Sequence, residues 1–361
     1  MLQDNCSLFQ NEQKGTVKFI LFINFGGSMS ALPYVQDGVP MLDFALVANF
    51  FFSNGMSLDK RQRVSTCMEQ YIELCGDNLR HSLCIVGDRR GRWSRYRPSS
   101  KESIAKKLVE HLNSTVHFDL IGGEELEVAT PYSVYGYVDR TAPGNFFQFR
   151  LPWDWFAHHP GNFPDLFRQF TQTLQPDYGF GGLGFTYAEF NIKRKMERLV
   201  YLIAQAVPAL VVENDYYEAE YFLDGIREGN FMTALSYQWV DKLGGADQIQ
   251  SALGPEFTVL RTESGITIQA GDEPNPLGAS IYKKAPPLPS DAEMAILREN
   301  LPTLPHLDAA AAYPLYHRLN QVLKPIRVTP EMYTRKLQSG EYFKRNFFDK
   351  ESTQKWFSRF D

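Results

Sequence analysis

Asp177-Tyr-Gly-Phe-Gly-Gly-Leu-Gly-Phe-Thr-Tyr-Ala-Glu-Phe190 sets Gly179, Gly181, Gly182 and Gly184 among Tyr178, Phe180, Leu183, Phe185, Tyr187 and Phe190. Aromatic side chains favour strands and bury large areas, while glycine lets a ring or another backbone approach closely. The stretch therefore predicts a central, tightly packed strand with neighbouring aromatics lying across it. A phosphate-cradling loop would also use glycines. The Walker spacing and its Lys-Ser/Thr pair are missing, however, and so is the dinucleotide pattern of strand, three spaced glycines and opening helix.

Outward from this strand the pattern is of short strands and helices. Leu42 to Ser53 is apolar and aromatic and closes on Asn54-Gly55, which predicts a buried strand. Ser57 or Asp59 caps a helix to about Leu74, with Val64, Cys67, Met68, Tyr71 and Leu74 on one face and Gly76 as its stop. Leu83 to Val86 is a second strand, and a helix opening at Ser100 or Ser103 turns Ile104, Leu108 and Leu112 inward. Val116–Ile121, Tyr132–Val138 and Phe146–Leu151 are further strands, followed by Trp153 and Trp155 at a sheet end. Phe163 to Leu174 is a helix leading into the glycine-aromatic strand.

Beyond it the pattern predicts helices over Lys193–Val211, most of Gly225–Leu243, Asp247–Leu253, Tyr313–Leu323 and Thr353–Phe360. Between them lie a hairpin (Phe257–Thr262 with Gly265–Ala270) and a Pro/Gly-rich loop from Gly271 to Pro289. Strands joined by short turns and interleaved with helices indicate an α+β fold with a mostly antiparallel sheet. Its β-α-β opening suggests ferredoxin-like halves flanked by helices. We expect one domain over residues 41–361, sheet-rich over 41–191 and helix-rich over 192–361, with residues 1–40 as an N-terminal extension.

The chain has 361 residues, is 43% hydrophobic and 14% aromatic, and carries a net charge of −5. That composition supports a sizeable core and argues against a general nucleic-acid binder. Cys6, Cys67, Cys75 and Cys84 show no C-x-x-C spacing, which suits reduced thiols in a cytosolic protein. The apolar run Phe19–Ile23 is short, Asn24 follows it at once, and Asp4 and Glu12 dilute the basic start, so a signal peptide is disfavoured. Met29 is an alternative start. No segment approaches the ~20 apolar residues of a membrane span.

Catalytic constellations are sparse. His158-His159 lacks the i, i+4 spacing of helical metal ligands, and neither H-E-x-x-H nor G-x-S-x-G occurs. No catalytic, metal or cofactor residue is assigned. Two surface features compete for function. Arg89-Arg90-Gly91-Arg92-Trp93-Ser94-Arg95-Tyr96-Arg97 is strongly basic: either a patch for phosphate or single-stranded nucleic acid, or a solvated loop whose arginines pair with acidic neighbours. Glu213, Asp215, Glu218, Glu220, Asp224 and Glu228, interleaved with Tyr216 and Tyr217, form an acidic-aromatic segment. Carboxylates beside tyrosines can attract a basic protein surface and anchor it.

Several motifs in order resemble the type VI secretion immunity proteins long known as a domain of unknown function. They are Phe50–Phe52 with Asn54-Gly55, Phe146–Pro152 running into Trp153, Tyr178–Phe185, Gly244-Gly245, Ile266–Gly271 and Trp356–Asp361. The resemblance covers roughly residues 42–361. It implies a non-enzymatic inhibitor that binds a cognate secreted toxin, in some relatives one with a restriction-endonuclease-like nuclease domain. We therefore expect a cytoplasmic partner protein with a basic cleft, contacted through Glu213, Asp215, Tyr216, Tyr217, Glu218, Glu220, Asp224 and Glu228, with no cofactor, no direct nucleic-acid contact and no membrane. The alternatives are a nucleic-acid-binding protein using Arg89–Arg97 and an unrecognised hydrolase.

Overall fold

A computed structural model describes residues 34–36, 39–139, 144–153, 155, 159, 162–187, 204, 208–212, 225–274, 308–329 and 355–361. Its strands are β1 (Tyr34–Gln36), β2 (Val39–Phe52), β3 (His81–Val86), β4 (Ser94–Arg95), β5 (Val116–Ile121), β6 (Ser133–Val138), β7 (Asn145–Pro152), β8 (Tyr178–Tyr187), β9 (Met232–Ser236), β10 (Phe257–Arg261) and β11 (Gly265–Ala270). They form one sheet in the order β10-β11-β9-β8-β2-β7-β6-β5-β3-β4, with β1 also on β2. Every pairing of these strands is antiparallel. The α+β reading with an antiparallel sheet holds.

The glycine-aromatic stretch is β8, paired along ten residues to β2. On one face of the sheet Phe50 meets Phe149, Phe167 and Phe170, and Phe149 meets Tyr71 and Phe163. These rings come from helices α1 (Leu58–Cys75) and α3 (Asn162–Leu174), with α2 (Pro98–Glu110) beside α1. The glycines give α3 its seat. A Cβ at Gly181 would stand 2.9 Å from Val47 O and 3.2 Å from the rings of Phe163 and Phe167. Gly181→Val should therefore push α3 off the sheet and cost about 1–3 kcal/mol, readable as a lowered denaturation midpoint at an unchanged m-value. A midpoint equal to wild type would show that this close approach is not required.

Local chemistry explains the helix ends. Ser57 Oγ accepts from Lys60 N at 3.1 Å, and the Gly76 N–H closes α1 on Ile72 O. Lys60 Nζ donates to the carbonyls of Leu174 and Gln175, and Arg63 to that of Thr173, so α1 caps the C-terminus of α3. Leu74 does not join the buried face: Cys75, four residues after Tyr71, takes the inward place, leaving Leu74 exposed.

Two sequence expectations change. The helix expected over Gly225–Leu243 is instead an extended segment, the strand β9, and a six-residue helix α4 (Tyr237–Lys242). Met232–Leu235 is buried on both faces between β8 and β11, and such a continuous apolar run has no period to separate strand from helix. The second half thus adds β9, β10 and β11 to the same sheet, alongside α4, α5 (Ala246–Leu253), α6 (Ala309–Ala312) and α7 (Pro314–Leu323). The β-α-β opening also does not close as a ferredoxin-like half, because β7, β6 and β5 lie between β2 and β3. The unit β7-α3-β8 does have the split form, with β2 between its parallel strands. Most of the helix expected over Lys193–Val211 and of the loop after Gly271 lies outside the described residues. Val211 itself bridges Gly184 on β8.

Candidate functional site

The acidic-aromatic segment divides. Glu213, Asp215, Tyr216, Tyr217, Glu218, Glu220 and Asp224 lie outside the described residues. Glu228 is described, and its expected place on the surface is corrected: it is 1% exposed. Its Oε1 lies 3.1 Å from Arg227 Nη2, and its Oε2 is held by Arg359 Nη2. A carboxylate enclosed in the core between two arginines is out of reach of a partner's surface.

A clasp is built around that carboxylate. Arg227 donates to Val212 O at 2.7 Å and lies 4.4 Å over the Phe180 ring. Arg359 donates to Pro208 O and Trp356 O at 2.8 Å each and stacks 3.7 Å over Trp356. Arg327 reaches Asp361 Oδ1 at 2.7 Å, the Arg227 carbonyl at 3.2 Å and the Phe357 carbonyl. Tyr178 of β8 donates its hydroxyl to the Glu228 carbonyl. Burial alone would raise the Glu228 pKa, but Arg359 and Arg227 outweigh it and hold the carboxyl below its ordinary value. The motifs Tyr178–Phe185 and Trp356–Asp361 thus meet at one point. This arrangement locks strands to the C-terminal segment and offers no open site.

A second polar set, unmarked by the sequence reading, crosses the sheet face opposite α1 and α3. Asn49 on β2 accepts from Gln148 on β7 at 2.6 Å. Arg150 donates to the Tyr135 hydroxyl of β6 at 2.9 Å, and on β5 His117 Nε2 lies 2.7 Å from Asp119 Oδ1. Asn49, Gln148, Arg150 and Asp119 are all buried. The available signal was a polar residue at every second position of an apolar strand, Gln148 and Arg150 around Phe149, His117 and Asp119 around Phe118. The Asn49–Gln148 and Arg150–Tyr135 bonds cross neighbouring strands and so favour one register. Among the described residues no group of three His, Cys, Asp or Glu is placed to hold a metal ion. His159 is exposed in its loop, and His158 lies outside the described residues.

The basic loop is the exposed feature of the described surface. Arg89, Arg90, Arg92, Arg95 and Arg97 all face solvent, whereas Trp93 and Tyr96 are half-buried against the core. The expectation that these arginines pair with acidic neighbours is not met for Arg89, Arg90, Arg92 and Arg95, whose guanidinium groups touch no described carboxylate. Other arginines are structural: buried Arg61 donates to Gly55 O at 2.7 Å, His111 O at 2.8 Å and Ser114 O at 2.7 Å, which gives Asn54-Gly55 its role.

With the clasp and the sheet placed, comparison with known proteins is decisive. A family model described as TsiV, type VI immunity for VRR-NUC, matches residues 63–360. The chain belongs to this family. The TsiV match spans β3 to β11 and both halves of the clasp. Among solved structures, the Pseudomonas aeruginosa T6SS protein PA0821 is similar, with a TM-score of 0.70 and 19% identity over 90% of this chain and 84% of that one. At that identity the likeness concerns the fold. No curated protein sequence matches. No helix among the described residues is long and apolar enough to cross a membrane.

Proposed function

We propose that this TsiV-family chain is an immunity protein that binds a nuclease toxin of the VRR-NUC kind in the cytosol and neutralises it by covering its cleft, without itself catalysing a reaction. The observation that carries this reading is the family match over residues 63–360. A stable cover needs about 1,600 Å² of total buried surface, roughly a face of 20–30 residues on each side. The test is direct. DNA cleavage by a purified candidate toxin of the VRR-NUC kind from the same cells is measured while this protein is added. Loss of cleavage at a one-to-one ratio is expected, and full cleavage at tenfold excess would overturn the reading.

For the contacting face we retain Glu213, Asp215, Tyr216, Tyr217, Glu218, Glu220 and Asp224, without Glu228. A nuclease cleft must be positive to hold a polyanion, so an acidic face with tyrosine anchors complements it. Reversing Glu218, Glu220 and Asp224 to lysine together should slow association about tenfold or more at low salt, with the deficit shrinking as salt screens it. Thermal unfolding should stay at the wild-type temperature. Association rates unchanged at every ionic strength would remove this face from the proposal.

A further inference from the structure

We infer that the Arg89–Arg95 loop is a second docking surface for the toxin, and that the part of the toxin it fits is a carboxylate-bearing protein surface. The inference rests on the immunity reading above and adds the chemistry of a contact which the acidic segment cannot make.

Three observations carry it. First, the charge is concentrated and, among the described residues, Arg89, Arg90, Arg92 and Arg95 pair with no carboxylate. Five arginines fall within Arg89–Arg97 of a chain whose net charge is −5. Arg89, Arg90, Arg92 and Arg95 are exposed, and Asp88 and Glu102, the exposed carboxylates nearest in sequence, form no ion pair with them. Unpaired like charges repel one another, a standing cost that a complementary surface would relieve.

Second, the loop is already shaped. Ser94–Arg95 is β4, paired to His81 and Ser82 at the end of the sheet. Ser94 Oγ donates to Ser82 O at 3.2 Å, and Tyr96 N donates to Arg80 O at 2.7 Å. A methyl group at Gly91 would stand 2.5 Å from Ile85 Cγ1 and 2.7 Å from Leu83 Cδ1, so the backbone lies directly on the sheet's side chains. With the backbone held this way, binding has to order the arginine side chains but not the Gly91–Tyr96 main chain. Arginine's planar fork also suits bidentate carboxylate pairing, which makes it a frequent anchor in protein interfaces.

Third, the loop's aromatics favour a protein over a nucleic acid. Sequence-tolerant binding of single strands uses rings free to stack on bases. Trp93 and Tyr96 instead pack partly into the core. The negative chain as a whole would oppose an extended polyanion, whereas a compact acidic patch needs only the loop.

The test uses the full-length chain carrying Arg90→Glu, Arg92→Glu and Arg95→Glu together, titrated with the purified toxin at two salt concentrations. We expect affinity at least tenfold weaker than wild type at low salt, a flatter salt dependence, and an unchanged melting temperature, since all three side chains are in solvent. A parallel set with Arg→Lys at the same positions should recover most of the affinity if charge is what matters. Toxin affinity unchanged by the three reversals would overturn the inference while leaving the immunity reading intact. It would equally be overturned by a salt-dependent gel shift of single-stranded DNA that the reversals abolish without altering toxin affinity. If wild-type protein formed no complex with the toxin, the immunity reading itself would fall, and this inference with it.

Discussion

Glu228→Ala is expected to destabilise the fold by about 3–5 kcal/mol, the cost of leaving buried charges without their counter-ion. Arg359 and Arg227 both direct guanidinium nitrogens at this carboxylate, with side chains only 7% and 2% exposed, so neither is fully rehydrated in place. A loss of this size lowers the melting temperature by about 4–7 °C for a chain of this length. Glu228→Gln separates charge from shape, because the amide keeps an acceptor but no negative charge, and it should fall between wild type and alanine. Replacing Glu228 and Arg359 together by apolar residues should cost much less than the sum of the single losses. Additive losses in that cycle would mean the pair is not coupled.

The same carboxylate sets an acid limit. Its folded pKa is held below the ordinary 4.5, so its stabilisation is complete above that pH and fades as pH falls through the lower folded value. Wild-type stability should therefore drop with acidification through that window, and Glu228→Gln should lose this part of the slope. Parallel pH–stability curves for the two proteins would show that the clasp does not titrate.

The second large effect belongs to Phe50. It is fully buried and its ring packs 4.8 Å from Phe167 and near Phe149 and Phe170, with Gly179 directly beneath it on β8. Phe50→Ala should cost about 3–5 kcal/mol, because the helix seated on the sheet cannot collapse into the space a ring leaves. Chemical denaturation measures it. A loss under 1 kcal/mol would show that α3 relaxes into the gap. Phe50→Leu should recover much of the difference while losing the ring contacts.

What the sequence made legible follows from where the signals were local. β2, α1, β5, β7, α3, β8 and the β10–β11 hairpin come from short-range patterns: aromatic runs, a serine cap, glycine stops, and Glu263-Ser264 at a turn. β9 was misread as helix because Met232–Leu235 is buried on both faces and leaves no polar phase to read. The order of the strands was not legible, since it depends on which distant runs pair. For the candidate site, composition marked the acidic segment but could not reveal that Glu228 faces inward. The decision belongs to Arg359, 131 residues away. The loop arginines were legible as a charge run, whereas the absence of a described carboxylate beside Arg89, Arg90, Arg92 and Arg95 is a fact of three-dimensional placement.

The placement of β2 also has a consequence for how the chain is made. The aromatic part of this strand, Phe50, Phe51 and Phe52, is paired by β7, where Asn49 meets Gln148 99 positions later, and by β8, which is made later still. At a synthesis rate of about 5–20 residues per second, this part leaves the ribosome roughly 5–20 s before β7 can pair with it. During that interval a bare aromatic strand is the most aggregation-prone part of the nascent polypeptide. The yield of folded protein should therefore track chaperone capacity during translation, and, on the immunity function proposed above, cells short of nascent-chain chaperones should become sensitive to the toxin before its potency changes.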